Sequence, residues 1–260
     1  MKIIKSPTEF MAYRRTLPSA QPIGFVPTMG CLHPGHAALL QQSCTDNEVT
    51  VLSIFVNPTQ FNNASDLTNY PITINQDLAL AESLGVDCVF MPTPEAMYPD
   101  KFHYKMITTD PLSTRHEGEH RPGHYDGVLS IVLKLLLIVK PQHVYFGEKD
   151  FQQVTFVQRM SAAYFLDCDV ITCPTVREAS QLPLSSRNAR LNDEQRQRAD
   201  RFATILHNET DVEKIKQQLT AANIEVEYVA QEGDRLFAAV RIDDIRLLDT
   251  FEIKQEATCS

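Results

Sequence analysis

The sequence predicts an α/β fold, with a Rossmann-like doubly wound parallel sheet followed by a smaller C-terminal α+β domain. Up to about Cys173, β-branched apolar runs alternate with helical patterns, which is typical of a parallel sheet built from right-handed β-α-β units. The run VTVLSIFV at 49–56 is almost continuously apolar, as expected of a strand buried on both faces. After Asn192 the composition changes to charged amphipathic segments, and we place the two domains at 1–182 and 183–260.

Caps, breakers and periodicity predict the elements in chain order. Ser6 starts the first helix, and Pro18 and Pro22 end it before the first core strand. In the first domain we predict strands at 23–27, 49–56, 87–91, 143–146 and 169–173, and helices at 6–15, 37–44, 74–84, 128–139 and 152–163. Residues 92–114 hold four prolines and no clear periodicity, so we expect them to leave the sheet.

The second domain is predicted to begin with a helix that Asn192 caps, with Gln195 at the capping-box position. A second helix is predicted at 212–222. Strands at 225–230 and 235–242 then end the ordered part.

Composition limits the classes of function. The 260 residues allow a sizeable core, and 43% hydrophobic with 22% charged residues indicates a soluble globular protein. A net charge of −9 argues against a nucleic-acid partner, and no apolar run is long enough to cross a membrane. The start MKIIKSPTEF lacks the apolar core of a signal peptide, and the six cysteines form no CxxC pair. We therefore expect reduced thiols and a cytoplasmic location.

The segment GFVPTMGCLHPGHAALL at 24–40 has the pattern of a strand, a turn and a helix. Backbone N–H groups at such a helix start can bind phosphate oxygens. His33 and His36 are three residues apart, so one helical turn puts both on the same face. The alternative, given equal weight, is that the two histidines only begin the helix and have no chemical role.

Asn57 and Gln60 follow the buried strand at 49–56, where an open α/β sheet places its ligands. The plain alternative is that Asn57 only starts a turn with Pro58. The loop RHEGEHRPGHYDG at 115–127 has few residues able to build a core, and it is predicted to serve a site.

Two later segments offer cations and hydroxyls to a phosphate. GEKD at 147–150 follows a strand, and Lys149 could neutralise phosphate oxygens. The run 185–187 combines two serines with Arg187, which suits a phosphate clamp. The alternative for GEKD is a solvated turn. The alternative for 185–187 is a plain loop that leads into a helix cap.

Five segments together are similar to a known family. They are PTMGCLHPGH at 27–36, SIFVNPTQF at 53–61, EGEHRPGHYDGV at 117–128, FGEKDFQQ at 146–153 and TVREASQLPLSSRN at 175–188. In this order they resemble pantothenate synthetases (pantoate–β-alanine ligases), a family of adenylate-forming nucleotidyltransferases with an HxGH motif. The resemblance implies ligation of pantoate and β-alanine to pantothenate through a pantoyl adenylate, with ATP and Mg²⁺ required and AMP and pyrophosphate released.

The resemblance also implies site residues at the matching positions. The implied catalytic residues are His36, in the proton-donor position, and His33, Lys149 and Arg187. The implied ATP-binding residues are Met29, Gly30, Cys31, Leu32, His33, Pro34, Gly35, His36, Gly147, Glu148, Lys149, Asp150, Val176, Leu184, Ser185, Ser186 and Arg187. The implied substrate-binding residues are Gln60 and Gln153 for pantoate, with Asn57, Arg121 and His124 lining the same cleft. Asp77 matches an acidic position near the magnesium.

The chain departs from the family pattern at a few positions. Ile72 stands where arginine is usual, and Ser180-Gln181 replaces the usual Asp-Gly. The C-terminal domain, which the family suggests closes as a lid, is shorter than is typical. The family further implies a homodimer through the N-terminal domain. A relative that activates another acid and a non-catalytic nucleotide-binding protein are the alternative functions, and the intact His33, His36, Lys149 and Arg187 argue against the latter.

Overall fold

The computed structural model describes residues 1–18 and 20–253. The chain forms two compact units. The first contains the described residues of Met1–Gly147 and Gln152–Cys173, and the second contains Glu148–Phe151 and the described residues from Pro174 to Ile253. The expected domain boundary between residues 182 and 183 stays a prediction.

The first unit is built on a six-stranded parallel sheet. Its strands are β1 (Lys2–Ile4), β2 (Ile23–Thr28), β3 (Val49–Ile54), β4 (Cys88–Phe90), β5 (His143–Gly147) and β6 (Asp169–Cys173). Their order is β1-β4-β3-β2-β5-β6, and every neighbouring pair is parallel. This confirms the predicted doubly wound α/β fold. The sequence patterns missed β1, because a three-residue edge strand is too short to show a period.

Helices connect these strands. They are α1 (Pro7–Thr16), α2 (Pro34–Asp46), α3 (Ala64–Thr68), α4 (Ile74–Ser83), α5 (Pro94–Met97), α6 (Glu117–His120), α7 (His124–Val139) and α8 (Phe151–Ala163). The expected start of α2 at Ala37 was wrong, because Pro34 occupies the first helical turn, where its missing N–H costs nothing. The loop predicted at 115–127 contains the short helix α6, which ends just before Pro122.

Apolar side chains cover both faces of this sheet. One cluster includes Phe10, Phe25 and Phe90, and the other includes Leu40 and Leu52. Burial of both faces explains why the central strands are continuously apolar rather than alternating. Their carboxyl ends, at Thr28, Ile54 and Gly147, lead into the segments expected to carry the site.

The second unit is a small α+β structure. It contains α9 (Asp193–Asn208), α10 (Val212–Ala221) and an antiparallel sheet of β7 (Glu225–Glu232), β8 (Arg235–Ile242) and β9 (Ile245–Glu252). The capping box predicted for Asn192 and Gln195 is confirmed. The expectation that 235–242 ends the ordered part was wrong, because β9 pairs with all of β8 across a tight turn.

Among the described residues, no helix is both long and apolar enough to cross a membrane. The described cysteines, at 31, 44, 88, 168 and 173, form no disulfide, and Cys259 lies outside the described residues.

Candidate active site

The turn between β2 and α2 is held by Asp77 on α4. Gly30 and Cys31 have φ angles of +83° and +51°, so the chain reverses over these two residues. The N–H groups of Cys31 and Leu32 donate to the Asp77 carboxylate at 3.0 and 2.8 Å. A Cβ on Gly30 would lie 3.1 Å from this carboxylate, and the positive φ also favours glycine. The turn therefore depends on a side chain 46 residues further along the chain.

The surroundings of Asp77 do not fit a resident metal site. Its side chain is 2% exposed, and its oxygens also accept the Thr73 hydroxyl at 3.0 Å. Mg²⁺ keeps several waters and needs open carboxylate oxygens. In residues 1–18 and 20–253, no three His, Cys, Asp or Glu side chains are arranged to hold a metal ion. The hydrogen bonds assign Asp77 to the turn, and its expected place near magnesium stays a prediction.

His33 and His36 lie side by side at the start of α2, as their spacing predicts. Their ring centroids are 4.0 Å apart. The Gly35 N–H donates to His33 Nδ1 at 3.2 Å, and the His33 N–H donates to His36 Nδ1 at 3.3 Å. A backbone N–H can only donate, so each Nδ1 accepts and the ring proton sits on Nε2. Both rings can therefore donate through Nε2–H.

Gln60 ends a 3-10 helix, Pro58–Gln60, that follows β3. Its Oε1 accepts from Asn57 Nδ2 at 3.0 Å, and its Nε2 donates to Met29 Sδ at 3.3 Å. Sulfur is a weak acceptor, so Nε2 keeps most of its capacity to donate to a ligand. The structure thus brings the predicted residues Met29, Asn57 and Gln60 together.

Asn57 is only 1% exposed, and its amide is fully hydrogen-bonded. Nδ2 donates to Gln60 and to the Gly127 carbonyl at 3.2 Å, while Oδ1 accepts from Tyr98 at 2.7 Å and Thr59 at 3.0 Å. Four bonds exhaust a carboxamide. Asn57 therefore orients the Gln60 carboxamide, and a direct contact of the Asn57 side chain with substrate stays a prediction.

The start of α7 packs closely on the Gln60 segment. A Cβ on Gly127 would lie 2.3 Å from the Thr59 carbonyl oxygen, so only glycine allows this approach. His124 Nδ1 lies 2.8 Å from the Gln60 carbonyl oxygen, which can only accept, so Nδ1 carries the proton. Arg121 donates to the same carbonyl at 3.3 Å and lies 3.1 Å from His124 Nε2. Both predicted residues hold the backbone of Gln60.

Tyr98 belongs to the same hydrogen-bond network as Asn57 and Gln60, and the sequence patterns missed it. It lies in the proline-rich stretch after β4 and is 41 residues from Asn57, so no local spacing links the two. Burial raises the pKa of the Tyr98 phenol, partly offset by the Thr59 hydrogen bond, so the hydroxyl keeps its proton. Lys134 Nζ lies 4.2 Å from the centre of its ring.

The two glutamines that begin α8 have different surroundings. Gln152 is buried and accepts from the Glu117 N–H and the Tyr125 hydroxyl, each at 3.1 Å. Its Nε2 donates to the carbonyls of Leu112 and Arg115 at 3.2 and 2.9 Å. These four hydrogen bonds use the whole carboxamide, which gives Gln152 a structural role. The half-buried Gln153 remains the predicted pantoate contact.

In the second unit, Arg235 anchors the turn Glu148–Asp150. Its NH2 lies 2.8 Å from Glu148 Oε1, and its guanidinium lies 3.9 Å from the centre of the Phe151 ring. Lys149 Nζ lies 3.8 Å from Asp150 Oδ2. Glu148, the residue before the predicted Lys149, is therefore held by a partly buried ion pair with Arg235.

A short hairpin leads to the predicted phosphate clamp. The Leu184 N–H donates to the Val176 carbonyl at 3.0 Å, which brings these two predicted residues together. Ser185 caps the 3-10 helix Ser186–Arg190 by accepting the Arg187 N–H at 3.3 Å. Arg177 donates to the 1% exposed Asp249 at 2.7 and 2.9 Å and thereby ties the hairpin to β9.

The family model described as pantoate-beta-alanine ligase matches residues 2–257. The chain belongs to the pantoate-beta-alanine ligase family. It is thus an enzyme of the ligase class, which confirms the resemblance drawn from its motifs.

Similar proteins support this family assignment. Pantothenate synthetases of Coxiella burnetii (strain Dugway 5J108-111) and Legionella pneumophila (strain Corby) are 46% and 47% identical to the chain. The alignments cover 99% and 96% of this chain and 99% of each relative. The pantoate-beta-alanine ligase of Francisella tularensis, complexed with beta-gamma ATP and beta-alanine, superposes with a TM-score of 0.95 at 38% identity over 97% of both chains.

The structure shows where the departures from the family's motif pattern lie. Ile72 is 73% exposed, so the missing arginine leaves no gap in the core. Ser180 donates to Asp200 at 2.6 Å. Gln181 has a φ of +70°, a backbone conformation that strains a residue with a side chain. The glycine of the family pattern would adopt it without strain. The C-terminal unit is not short relative to the Coxiella enzyme, since the alignment covers 99% of both chains.

Proposed function

We propose that this ligase joins (R)-pantoate and β-alanine to give pantothenate at the expense of ATP, through a pantoyl-adenylate intermediate. The observation that carries the proposal is the pair of Nε2–H donors from His33 and His36 at the start of α2, in a chain that belongs to this family. A helix start and two donors suit the charge that builds on an α-phosphate under attack.

In the first step, a pantoate carboxylate oxygen forms a bond to the α-phosphorus of ATP. The bond from that phosphorus to the bridging oxygen breaks, and pyrophosphate leaves. His33 and His36 donate to the non-bridging oxygens, where the transition state gathers charge. Gln60 and Gln153 hold pantoate, and Gln60 uses its Nε2–H₂ group for this contact.

In the second step, the amine of β-alanine attacks the acyl carbon of the adenylate. The carbon–oxygen bond to phosphate breaks, AMP leaves with that oxygen, and the amine loses a proton as the amide forms. The Francisella tularensis relative is complexed with beta-alanine, which supports this second substrate.

The remaining assigned residues bind the nucleotide. In the first unit these are the turn residues 29–36 and Gly147. In the second unit they are the residues at 148–150, Val176, Leu184 and 185–187, with Lys149 and Arg187 neutralising phosphate charge. We expect Mg²⁺ to arrive on the ATP phosphates, because the oxygens of Asp77 are engaged by the turn.

A direct assay tests the reaction. Purified protein is mixed with ATP, Mg²⁺ and pantoate, with and without β-alanine, and AMP and pyrophosphate are measured. We expect sustained AMP release only when both acid and amine are present. A chain that activates other small acids equally well, or that releases no AMP with β-alanine, would contradict the proposal.

A homodimer through the N-terminal domain and a cytoplasmic location are also proposed. Light scattering during size-exclusion chromatography should give twice the mass of one chain. Fractionation of cells that produce the protein should recover it with the cytoplasm. A single-chain mass or recovery in another fraction would contradict the respective proposal.

A further inference from the structure

We propose that Tyr98 is a positioning residue for the acid substrate, acting through Asn57 to fix the carboxamide of Gln60. The inference rests on the proposed role of Gln60 in binding pantoate. The Tyr98 hydroxyl, the Asn57 carboxamide and the Gln60 carboxamide form a continuous chain of hydrogen bonds, with distances of 2.7 and 3.0 Å. Tyr98 and Asn57 are both buried, at 4% and 1% exposure.

The direction of this chain follows from its anchor. The Gly127 carbonyl can only accept, so the atom of Asn57 that lies 3.2 Å from it is Nδ2. Oδ1 then faces Tyr98 and Thr59, and both hydroxyls can donate to it. Turning the Asn57 amide over would set two oxygens against each other at Gly127 and leave buried donors without partners.

The Gln60 carboxamide is oriented in turn by Asn57. Since Asn57 Nδ2 donates to it, the atom of Gln60 that faces Asn57 is Oε1. Nε2 is therefore held away from Asn57, on the side of Met29. Gln60 presents donors to its ligand, which must supply an acceptor such as a carboxylate or hydroxyl oxygen. This fits a hydroxy acid and disfavours a group that can only donate.

Tyr98 is suited to this task because its position is fixed from several sides. Its ring packs on Phe102, with centroids 4.5 Å apart, and lies under the Lys134 ammonium. Burial keeps the pKa of the phenol high, so the donor persists across the usual range of assay pH. Loss of this hydroxyl leaves Asn57 Oδ1 with Thr59 alone and loosens the amide that orients Gln60.

A double-mutant cycle on the full-length enzyme tests the proposal. Tyr98→Phe keeps the ring, and it should raise the KM for pantoate about five- to tenfold, the effect of one net hydrogen bond, while the KM for ATP stays unchanged. Gln60→Ala should raise the KM for pantoate further. In the Gln60→Ala background, Tyr98→Phe should then have no additional effect, because its action passes through Gln60.

Tyr145→Phe is the matched control. Tyr145 is also buried, and its hydroxyl bonds Asn47 and Asp46 at the far end of α2, so the KM for pantoate should not change. Additive effects of Tyr98→Phe and Gln60→Ala, or equal changes in the KM for pantoate and ATP, would overturn the proposal. So would a normal KM in Tyr98→Phe when Gln60→Ala raises it.

A second variant decides the matter if Tyr98→Phe does not fold. Asn57→Asp replaces Nδ2 by an oxygen that faces both Gln60 and the Gly127 carbonyl. Gln60 should then turn its own NH₂ toward the new carboxylate and present Oε1 to the acid. The KM for pantoate should rise more than tenfold in the wild-type background and remain unchanged in Gln60→Ala. Equal rises in both backgrounds would contradict the chain. Wild-type enzyme without pantoate-dependent AMP release would instead contradict the proposed function itself.

Discussion

The two groups of predicted site residues are held by different kinds of interaction. In the first unit, the 29–36 turn and Gln60 are held mainly by hydrogen bonds from backbone groups, amides and hydroxyls, with the Asp77 carboxylate as an acceptor and Arg121 as one charged donor. In the second unit, arginine–carboxylate pairs hold the segments around Lys149 and Val176. The hydrogen-bond network of the first unit sets the direction in which donors point, whereas the ion pairs of the second unit mainly fix where a segment lies.

The largest loss of stability is expected where an ion pair is buried. Arg177→Ala leaves the Asp249 carboxylate buried without its bidentate partner, and we expect a loss of about 3–5 kcal/mol in the free energy of unfolding. Urea unfolding of the whole protein measures this. Arg190→Ala, which loses an ion pair to the 72% exposed side chain of Asp244, serves as the control and should cost less than about 1 kcal/mol. Equal losses of stability in the two variants would show that burial does not make the Arg177–Asp249 pair stronger than the Arg190–Asp244 pair.

His36→Ala tests whether the first unit supplies the donors for chemistry. Removing one preorganised donor should lower kcat about 10²- to 10³-fold. The temperature of unfolding should fall by only a few degrees, because the His33 N–H also loses its acceptor. Gln42→Ala, at an exposed position on the same helix, should leave kcat unchanged. Near-normal turnover in His36→Ala would remove His36 from the transition state while leaving the reaction assignment intact.

Asp77→Asn separates positioning of the turn from metal binding. One N–H of the turn would face an amide NH₂ in place of a carboxylate oxygen, and we expect kcat/KM for ATP to fall about tenfold or more. The Mg²⁺ concentration at half-maximal rate should not change. Asp87→Asn, which alters a carboxylate that accepts the Thr50 N–H, is the control and should leave both values unchanged. A large rise in the Mg²⁺ requirement would instead make Asp77 a metal ligand.

Gln181→Gly should have the smallest effect and the opposite sign. The φ of +70° strains a residue with a Cβ, so glycine should raise the free energy of unfolding by up to about 1 kcal/mol. Thermal unfolding measures the gain. Gln181→Ala keeps the strain and should show no such gain, so stabilisation by alanine as well would point to a different cause.

The sequence predicted those features that local patterns encode. Alternating apolar runs and helical periods gave the parallel sheet, and the three-residue spacing of His33 and His36 gave their shared face. The roles of Tyr98 and Gln152 were not predicted, because their hydrogen bonds join segments that are tens of residues apart. The same limit applies to Asp77, whose sequence position alone cannot distinguish a metal ligand from an acceptor for the turn.

Transfer of labelled oxygen tests the central claim most directly. Pantoate with ¹⁸O in its carboxylate is turned over with ATP and β-alanine, and the AMP is analysed by mass spectrometry. Attack of the carboxylate on the α-phosphorus, followed by cleavage of the acyl carbon–oxygen bond, predicts one ¹⁸O in each AMP. Unlabelled AMP formed together with pantothenate would contradict the pantoyl adenylate.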